Sequence, residues 1–340
     1  MTTSTLHLAT LQVGPRTLLL VSAVVVLVLC PLVIYLLQRA QIVDRANNRS
    51  SHKGVVPRGA GVVFIPAILC GAWLGHVWNE PTGLALILVI IVFALLGLTD
   101  DFLSLPASLR LCSQVLIALV FVSQLTSTDT TSSPLWLLLC GAFWIVFFVN
   151  AFNFMDGING ISAVTGALAS AAIASSCIAH EINAPAVIAI SICGSSIAFL
   201  PYNVIRAKCF MGDVGSYFLG GALSSLTVVA ITEGIPWPEV FFPLALYIGD
   251  VTTTLVRRAR RGDRLFQAHR EHSYQRLANE LGLGHTKTTL LVAAATFSLS
   301  ALGVVGKDHA FISTLAAVAI VGGYVALPDL LNSKAKTPQI

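Results

Sequence analysis

Eleven apolar runs follow one another along this chain, each close to the length that crosses a bilayer. They fall near 17–38, 61–78, 83–99, 109–126, 134–153, 158–179, 184–202, 214–232, 237–256, 288–305 and 310–328. Crossing about 30 Å of hydrocarbon takes roughly 17–25 helical residues. The runs are continuously apolar rather than alternating, which selects helices over a barrel. The Gly-rich second and eighth runs carry the weakest signal. Composition supports the same reading: 56% of the 340 residues are hydrophobic and only 11% are charged, against roughly 45–50% and 25% in a soluble domain. So little charge does not coat a globular surface of this size. The expectation is an all-α integral membrane protein of about 11 transmembrane helices, one polytopic domain over residues 1–340.

Lys and Arg set the expected orientation. With the N-terminus outside and the C-terminus in the cytoplasm, all but Arg16 and Lys307 of the 20 basic residues fall on inner loops or the C-terminal tail, as the positive-inside rule requires. The first run is too long for a signal-peptide core, with no basic region before it and no small-residue cleavage site after it, so it reads as a retained span. The 7 cysteines show no CxxC spacing and read as small packing residues. A net charge of +4 suits an anionic inner leaflet and anionic substrates.

The outer connections (79–82, 127–133, 180–183, 233–236 and 306–309) are short, and each inner connection carries polar residues. These are SSHKGVVPRGAG (50–61), TDDFLSLP (99–106), NAFNFMDGING (150–160), PYNVIRAKCFMGDVGS (201–216) and the basic, His-containing loop 257–287. Function is therefore expected on the cytoplasmic face. Asp100, Asp101, Asp156, Asp213 and Asp250 all lie at or near inner ends of runs. A carboxylate there is costly unless paired, hydrated or metal-bound. Any one of them fits a helix cap or turn as well as a ligand, but five on one face exceed what capping needs. The adjacent charges of Asp100 and Asp101 favour a cation or a proton between them, and hard oxygen donors with few fixed protein ligands describe Mg²⁺. Gly212 and Gly215 bracket Asp213 before the eighth run, which suits a phosphate at a helix N-terminus and equally the ordinary abundance of glycine in membrane helices. After Asp263, RLFQAHREHSYQRLANELGLG predicts a helix ending at Gly282 or Gly284, with His269, His272 and Arg276 on one face. That face suits anionic lipid or a diphosphate; zinc is disfavoured because no second ligand pair accompanies the histidines.

With these residues quoted, the chain resembles the bacterial polyprenyl-phosphate sugar-1-phosphate transferases of glycosyltransferase family 4, which include the phospho-N-acetylmuramoyl-pentapeptide transferases. The resemblance spans roughly residues 18–330 and rests on HKGVVPRGAG, DDFLSLP, NAFNFMDGING, FMGDVGS and AHREHSYQRL in that order. The segment DVTTTLVRRARRGDRLFQAHREHSYQRL looks most like the O-antigen-priming branch. The resemblance implies a metal site (Mg²⁺, or Mn²⁺) at Asn153 and Asp213, and catalytic roles for Asp100, Asp101 and Asp156. It implies substrate contacts from Lys53, Asn150, Asn159, Asp250, His269, Arg270 and His272, with Asn203 and Phe210 at the uracil. Departures from the pattern are Ser104 for a third acid, Asn159 for a second aspartate, and Arg270 and Glu271 between the histidines.

The reaction so implied is attack by a lipid phosphate, undecaprenyl phosphate, on the sugar-linked phosphorus of a UDP–N-acetylated sugar, with UMP leaving. Such chemistry is mostly positioning and charge neutralisation. The implied location is the bacterial inner membrane with the active site on its cytoplasmic face; the partners are the two substrates and membrane lipid, with no nucleic acid and with homodimerisation left open. Two rival readings are a secondary transporter, whose acids belong near midplane on repeated broken helices, and a catalytically impaired scaffold of a polysaccharide assembly complex, suggested by Asn159 and the split histidines. The residues do not select the sugar.

Overall fold

The computed structural model describes residues 13–45, 54–126, 135–204, 207–264 and 269–335. Pro15 opens α1 (Pro15–Arg39), where a missing N–H costs nothing. A hairpin of β1 (Val43–Arg45) and β2 (Val55–Pro57) follows, antiparallel with Val43 opposite Pro57. A 3₁₀ turn (Ala60–Val63) leads into α2 (Phe64–Leu74). Next come α3 (Pro81–Leu103), α4 (Ala107–Thr126), α5 (Leu135–Met155), α6 (Ile161–Ala179), α7 (Asn183–Asn203) and α8 (Gly212–Thr232). The chain continues through α9 (Trp237–Phe241) and α10 (Ala245–Arg260), the single turn α11 (Ser273–Gln275), α12 (Gly284–Val305) and α13 (Ala310–Ala335).

Ten helical segments among the described residues are long and apolar enough to cross a membrane, α9 and α10 counting as one bent span, Trp237–Arg260. The chain is an all-α, multi-pass membrane protein. The expected second span differs: the helical stretch there, Ala60–Leu74, has 15 residues, about 22 Å at 1.5 Å per residue. Left-handed backbone bounds it on both sides, at Gly59 (φ 98°) and His76 (φ 53°). The ninth span bends at a 3₁₀ turn, Phe242–Leu244, where Pro243 lacks the N–H that a continuous helix needs.

α8 occupies the centre, packed against α3, α5, α6 and α7. Every residue from Val214 to Ala230 is buried. Gly97 of α3 lets that helix meet α8 backbone to backbone, since a Cβ there would collide with the Asp213 carbonyl. The outer helices present apolar faces instead: Leu20, Val24 and Val28 on α1, and Phe311, Ile312 and Leu315 on α13, are exposed, as expected of surfaces solvated by lipid.

The segment after Asp263 does not form the expected long helix. Among its described residues, helix starts only at Ser273 and passes into a π turn, Arg276–Glu280, that ends before Gly282 (φ 69°). The cause is Asp250, which accepts the N–H groups of Ser273 at 2.9 Å and Tyr274 at 3.3 Å. A carboxylate on the first free N–H groups fixes where a helix begins. Arg276 consequently leaves the histidines and pairs with Asp329 of α13 at 2.6 Å.

Candidate active site at one end of the bundle

The C-terminal ends of α3 and α5, the N-terminal end of α8 and the turn before α2 meet at one end of the bundle. Asp101, in the last turn of α3, accepts Asp213 N–H on Oδ1 at 3.0 Å and Val214 N–H on Oδ2 at 2.9 Å. It therefore neutralises the positive N-terminal end of α8. Gly212 makes this approach available: its φ is +72°, and a Cβ would stand 2.5 Å from Asp101 Oδ2 and 2.8 Å from the Gly59 backbone. Only glycine adopts that conformation cheaply and leaves that space.

Asp213 then projects from the first turn of α8 toward α5. Its Oδ1 accepts Asn153 Nδ2 at 2.9 Å, and the same amide nitrogen donates to Ser216 Oγ at 2.9 Å. Its Oδ2 meets Arg58 Nη2 at 2.9 Å, while Arg58 Nε meets Asp101 Oδ1 at 2.9 Å. One guanidinium thus spans two carboxylates from different motifs. Burial opposes the Arg58 charge, but Asp213, then Asp101 and Asp44, more than restore it and raise its pKa. Sequence reading counted Arg58 toward topology and missed it here. The available signal was its place in PRGAG, between a proline and two glycines on an inner loop.

The two adjacent aspartates face different partners. Successive helical side chains diverge around the axis, and Asp100 turns to Arg110 Nη1 (2.8 Å), Leu105 N–H (2.9 Å) and Tyr217 Oη (3.4 Å). Each aspartate has its own arginine, so the repulsion expected between them is met separately. Asp156 follows α5 in the turn that begins with its N–H on Asn153 O at 3.2 Å. Burial, with the nearby Asp213 and Asp101 charges adding and Arg58 opposing, pushes its carboxyl up to about 7.

The remaining predicted residues divide by position. Asn150 lies one turn from Asn153, with its amide on Gln114 of α4 (2.6 Å) and the Val146 carbonyl (2.8 Å). The Asn159 backbone is held by α12, its N–H on His285 Nδ1 at 3.3 Å and its carbonyl accepting Thr289 Oγ1 at 2.9 Å. Asn203 is 4% exposed; it accepts Gly160 N–H at 2.8 Å and donates to Cys209 O at 3.0 Å, bracing two motif loops against each other. Phe210 stitches a third: its N–H reaches Pro57 O at 2.8 Å, and its carbonyl accepts Ala60 N–H at 3.0 Å. Asp250 is fully buried, one to two turns inside α10, and anchors the histidine loop rather than joining the Arg58 cluster. That loop docks on the last turn of α5, with Tyr274 Oη on Phe154 O at 2.8 Å and the Phe154 ring 6.2 Å from His272 and 6.5 Å from His269. Burial, then His272 and Arg258, lowers the His269 pKa to about 4, so its imidazole is neutral at physiological pH. Nδ1 of His269 and Nε and Nη2 of Arg270 are buried and meet no hydrogen-bond partner among the described residues. Lys53 lies outside the described residues.

No group of three His, Cys, Asp or Glu side chains among the described residues stands ready to hold a metal. What the cluster offers is an all-oxygen set, Asp213 with Asn153 and Asp156 near it. A hard divalent ion is commonly held by one or two protein oxygens and completed by substrate phosphates, and the donor types here fit that case.

A membrane-embedded helical bundle with a carboxylate, amide and guanidinium cluster at one end defines a polytopic membrane enzyme. Residues 83–231, which run from α3 through nearly all of α8, match the model of glycosyl transferase family 4. The chain is 33% identical over 254 residues to a phospho-N-acetylmuramoyl-pentapeptide-transferase of Desulforudis audaxviator, covering 63% of this chain and 75% of that protein. It is 26% identical over 301 residues to a probable undecaprenyl-phosphate N-acetylglucosaminyl 1-phosphate transferase of Bacillus subtilis, covering 85% and 84%. It is 28% identical over 320 residues to a decaprenyl-phosphate N-acetylglucosaminephosphotransferase of Mycobacterium leprae, covering 80% and 79%. The chain belongs to glycosyl transferase family 4 and is a transferase.

Proposed function

We propose that this enzyme transfers an N-acetylated sugar-1-phosphate from a UDP-sugar to a polyprenyl phosphate, undecaprenyl phosphate in a bacterial inner membrane, releasing UMP at the cytoplasmic face and priming O-antigen or another cell-surface glycan. The observation that carries the reading is the 2.9 Å contact between Asn153 and Asp213. Two motifs 60 residues apart share one site, at the bundle end where the basic loops lie. The names of the relatives, which specify undecaprenyl or decaprenyl phosphate and an N-acetylated sugar, support the same acceptor and donor class.

In this reading Asp213 and Asn153 would hold Mg²⁺, or Mn²⁺, which would supply positive charge to the diphosphate. Arg58 and Lys53 supply fixed positive charge to the same phosphates. The Arg58 backbone is pinned by its N–H on Ile42 O at 3.2 Å and by an isolated bridge to Phe210. The buried α8 gives the site a wall that excludes water from one side. A phosphate monoester is largely dianionic at neutral pH, its second pKa being about 6, so attack needs little help from a base. Asp156, titrating near 7, is placed to take the proton from the remaining monoanion. His269 and Arg270, with unmet buried nitrogens, are the donors available to the sugar or its phosphate.

The test is UMP release in detergent micelles containing polyprenyl phosphate. Asp213→Asn is expected to lower the rate by at least about 10²-fold, with normal amounts of folded protein. Full activity of that variant removes the assignment, and substrate flux across proteoliposomes with no UMP formed would favour a transporter instead.

A further inference from the structure

Both oxygens of the Asp213 carboxylate are already taken: Oδ1 by Asn153 and Oδ2 by Arg58, each at 2.9 Å. A divalent ion held through Asp213 comes to lie beside one of these donors, and a charged donor is repelled by it. Asn153 is a poor candidate to leave, because the same nitrogen is tied to Ser216 and its helix is packed against α8. Arg58 differs. Its side chain is 41% exposed, against 18% for Asp213 and 3% for Asp101. Its backbone is fixed, so the guanidinium is free to turn without the loop moving. Departure of Arg58 strands neither acid, since Asp101 keeps two backbone N–H groups and Asp213 keeps Asn153.

We propose that Arg58 is the resident counter-cation of this site: it occupies Asp213 Oδ2 in the metal-free enzyme, yields that oxygen to the divalent ion, and turns its guanidinium onto the phosphates that arrive with the ion. This rests on the preceding reading that Asp213 holds the ion. A monocation and a dication on one carboxylate oxygen repel strongly at a few ångströms in a partly buried site. A guanidinium binds phosphate in the same bidentate manner as carboxylate, so the exchange gives Arg58 an equivalent partner. The consequence is coupling: the ion binds weakly alone and tightly with nucleotide, and by linkage the nucleotide does the same with the ion.

The experiment titrates the purified full chain in detergent with Mn²⁺, reading free ion by electron paramagnetic resonance, with and without UMP. Arg58→Gln is expected to bind Mn²⁺ without nucleotide at least about tenfold more tightly than the unmodified protein, and to lose most of the enhancement that UMP gives. Arg58→Lys keeps the charge but reaches one carboxylate, and is expected to fall between the two. Equal or weaker nucleotide-free binding by Arg58→Gln overturns the proposal. Should Arg58→Gln not fold, an Arg58→Lys protein identical to the unmodified one in both titrations overturns it instead. Asp213→Asn separates this from the underlying reading: undiminished Mn²⁺ binding there means the ion is not on Asp213, whereas lost binding there with an unchanged Arg58→Gln removes only the counter-cation role.

Discussion

Asp213 and Asp250 are the same side chain placed near the same end of the same bundle, and their surroundings are opposite. Asp250 is fully buried and accepts from Ser273 and Tyr274 N–H, His272 Nδ1, Tyr324 Oη and Thr254 Oγ1. These partners come from its own helix, from the histidine loop and from α13, so the carboxylate is a permanent junction. Asp213 is partly open and has one long flexible cation among its partners. A carboxylate whose every donor is internal to the fold holds structure, whereas one with an exchangeable donor is available for chemistry.

The sharpest way to break that contrast is to neutralise each acid. Asp250→Ala leaves several buried donors unmet, at about 1–3 kcal/mol for each. It is expected to cost at least about 3 kcal/mol in thermal unfolding in detergent and to lose activity through the unfolded loop. Asp213→Asn is expected to leave the unfolding midpoint within about 1 kcal/mol of the parent, since Asn153 and α8 remain in place. If the two variants lose stability equally, the contrast fails.

Gly212→Ala probes the site from its backbone. Its positive φ and the 2.5 Å approach to Asp101 predict a penalty of about 1–3 kcal/mol and displacement of Asp101 from α8, read as a fall in kcat. Wild-type kcat in a folded Gly212→Ala protein would mean the Asp101 cap is dispensable.

Asp156 adds a pH dependence. Its carboxyl is raised from 3.8 to about 7, so the folded state binds its proton more tightly than the unfolded chain does. The stability it contributes is full below pH 3.8 and is lost as pH rises through about 7, after which it is flat. Activity that uses the carboxylate rises over the upper part of that window. Asp156→Asn is expected to flatten both profiles, and a pH–rate curve unchanged by that substitution would assign the limb elsewhere.

The smallest effect belongs to the outer latch of the histidine loop. Arg276 pairs with Asp329, whose side chain is 58% exposed, and an ion pair so hydrated is worth about 0–1 kcal/mol. Arg276→Ala is expected to move the unfolding midpoint barely and to leave KM unchanged. A large KM increase would place Arg276 at the substrate after all.

The spans were legible because lipid imposes one rule on every residue of a run, and that rule survives in the order of letters. The resemblance assigns Asn153 and Asp213 to one metal site, and the structure does bring these two side chains together. Arg58 was not legible as chemistry, since its two acids lie 43 and 155 residues downstream and local spacing carries no trace of that pairing. The loop after Asp263 misled for the same reason. Its 3.6-residue pattern is sound, but the helix start was decided by Asp250, on another helix. The hairpin of β1 and β2 escaped notice because three-residue strands give no measurable alternation.

The burial of α8 on every side has a bearing on how such an enzyme diversifies. A helix without a lipid-facing flank has no side on which a bulkier residue is harmless, so enlarging substitutions anywhere along it cost stability. New sugar preferences must then arise in the connections suspended from it, which vary in length and composition without disturbing the interior. Laboratory selection for altered donors would do well to randomise residues 257–287 and leave 214–230 alone.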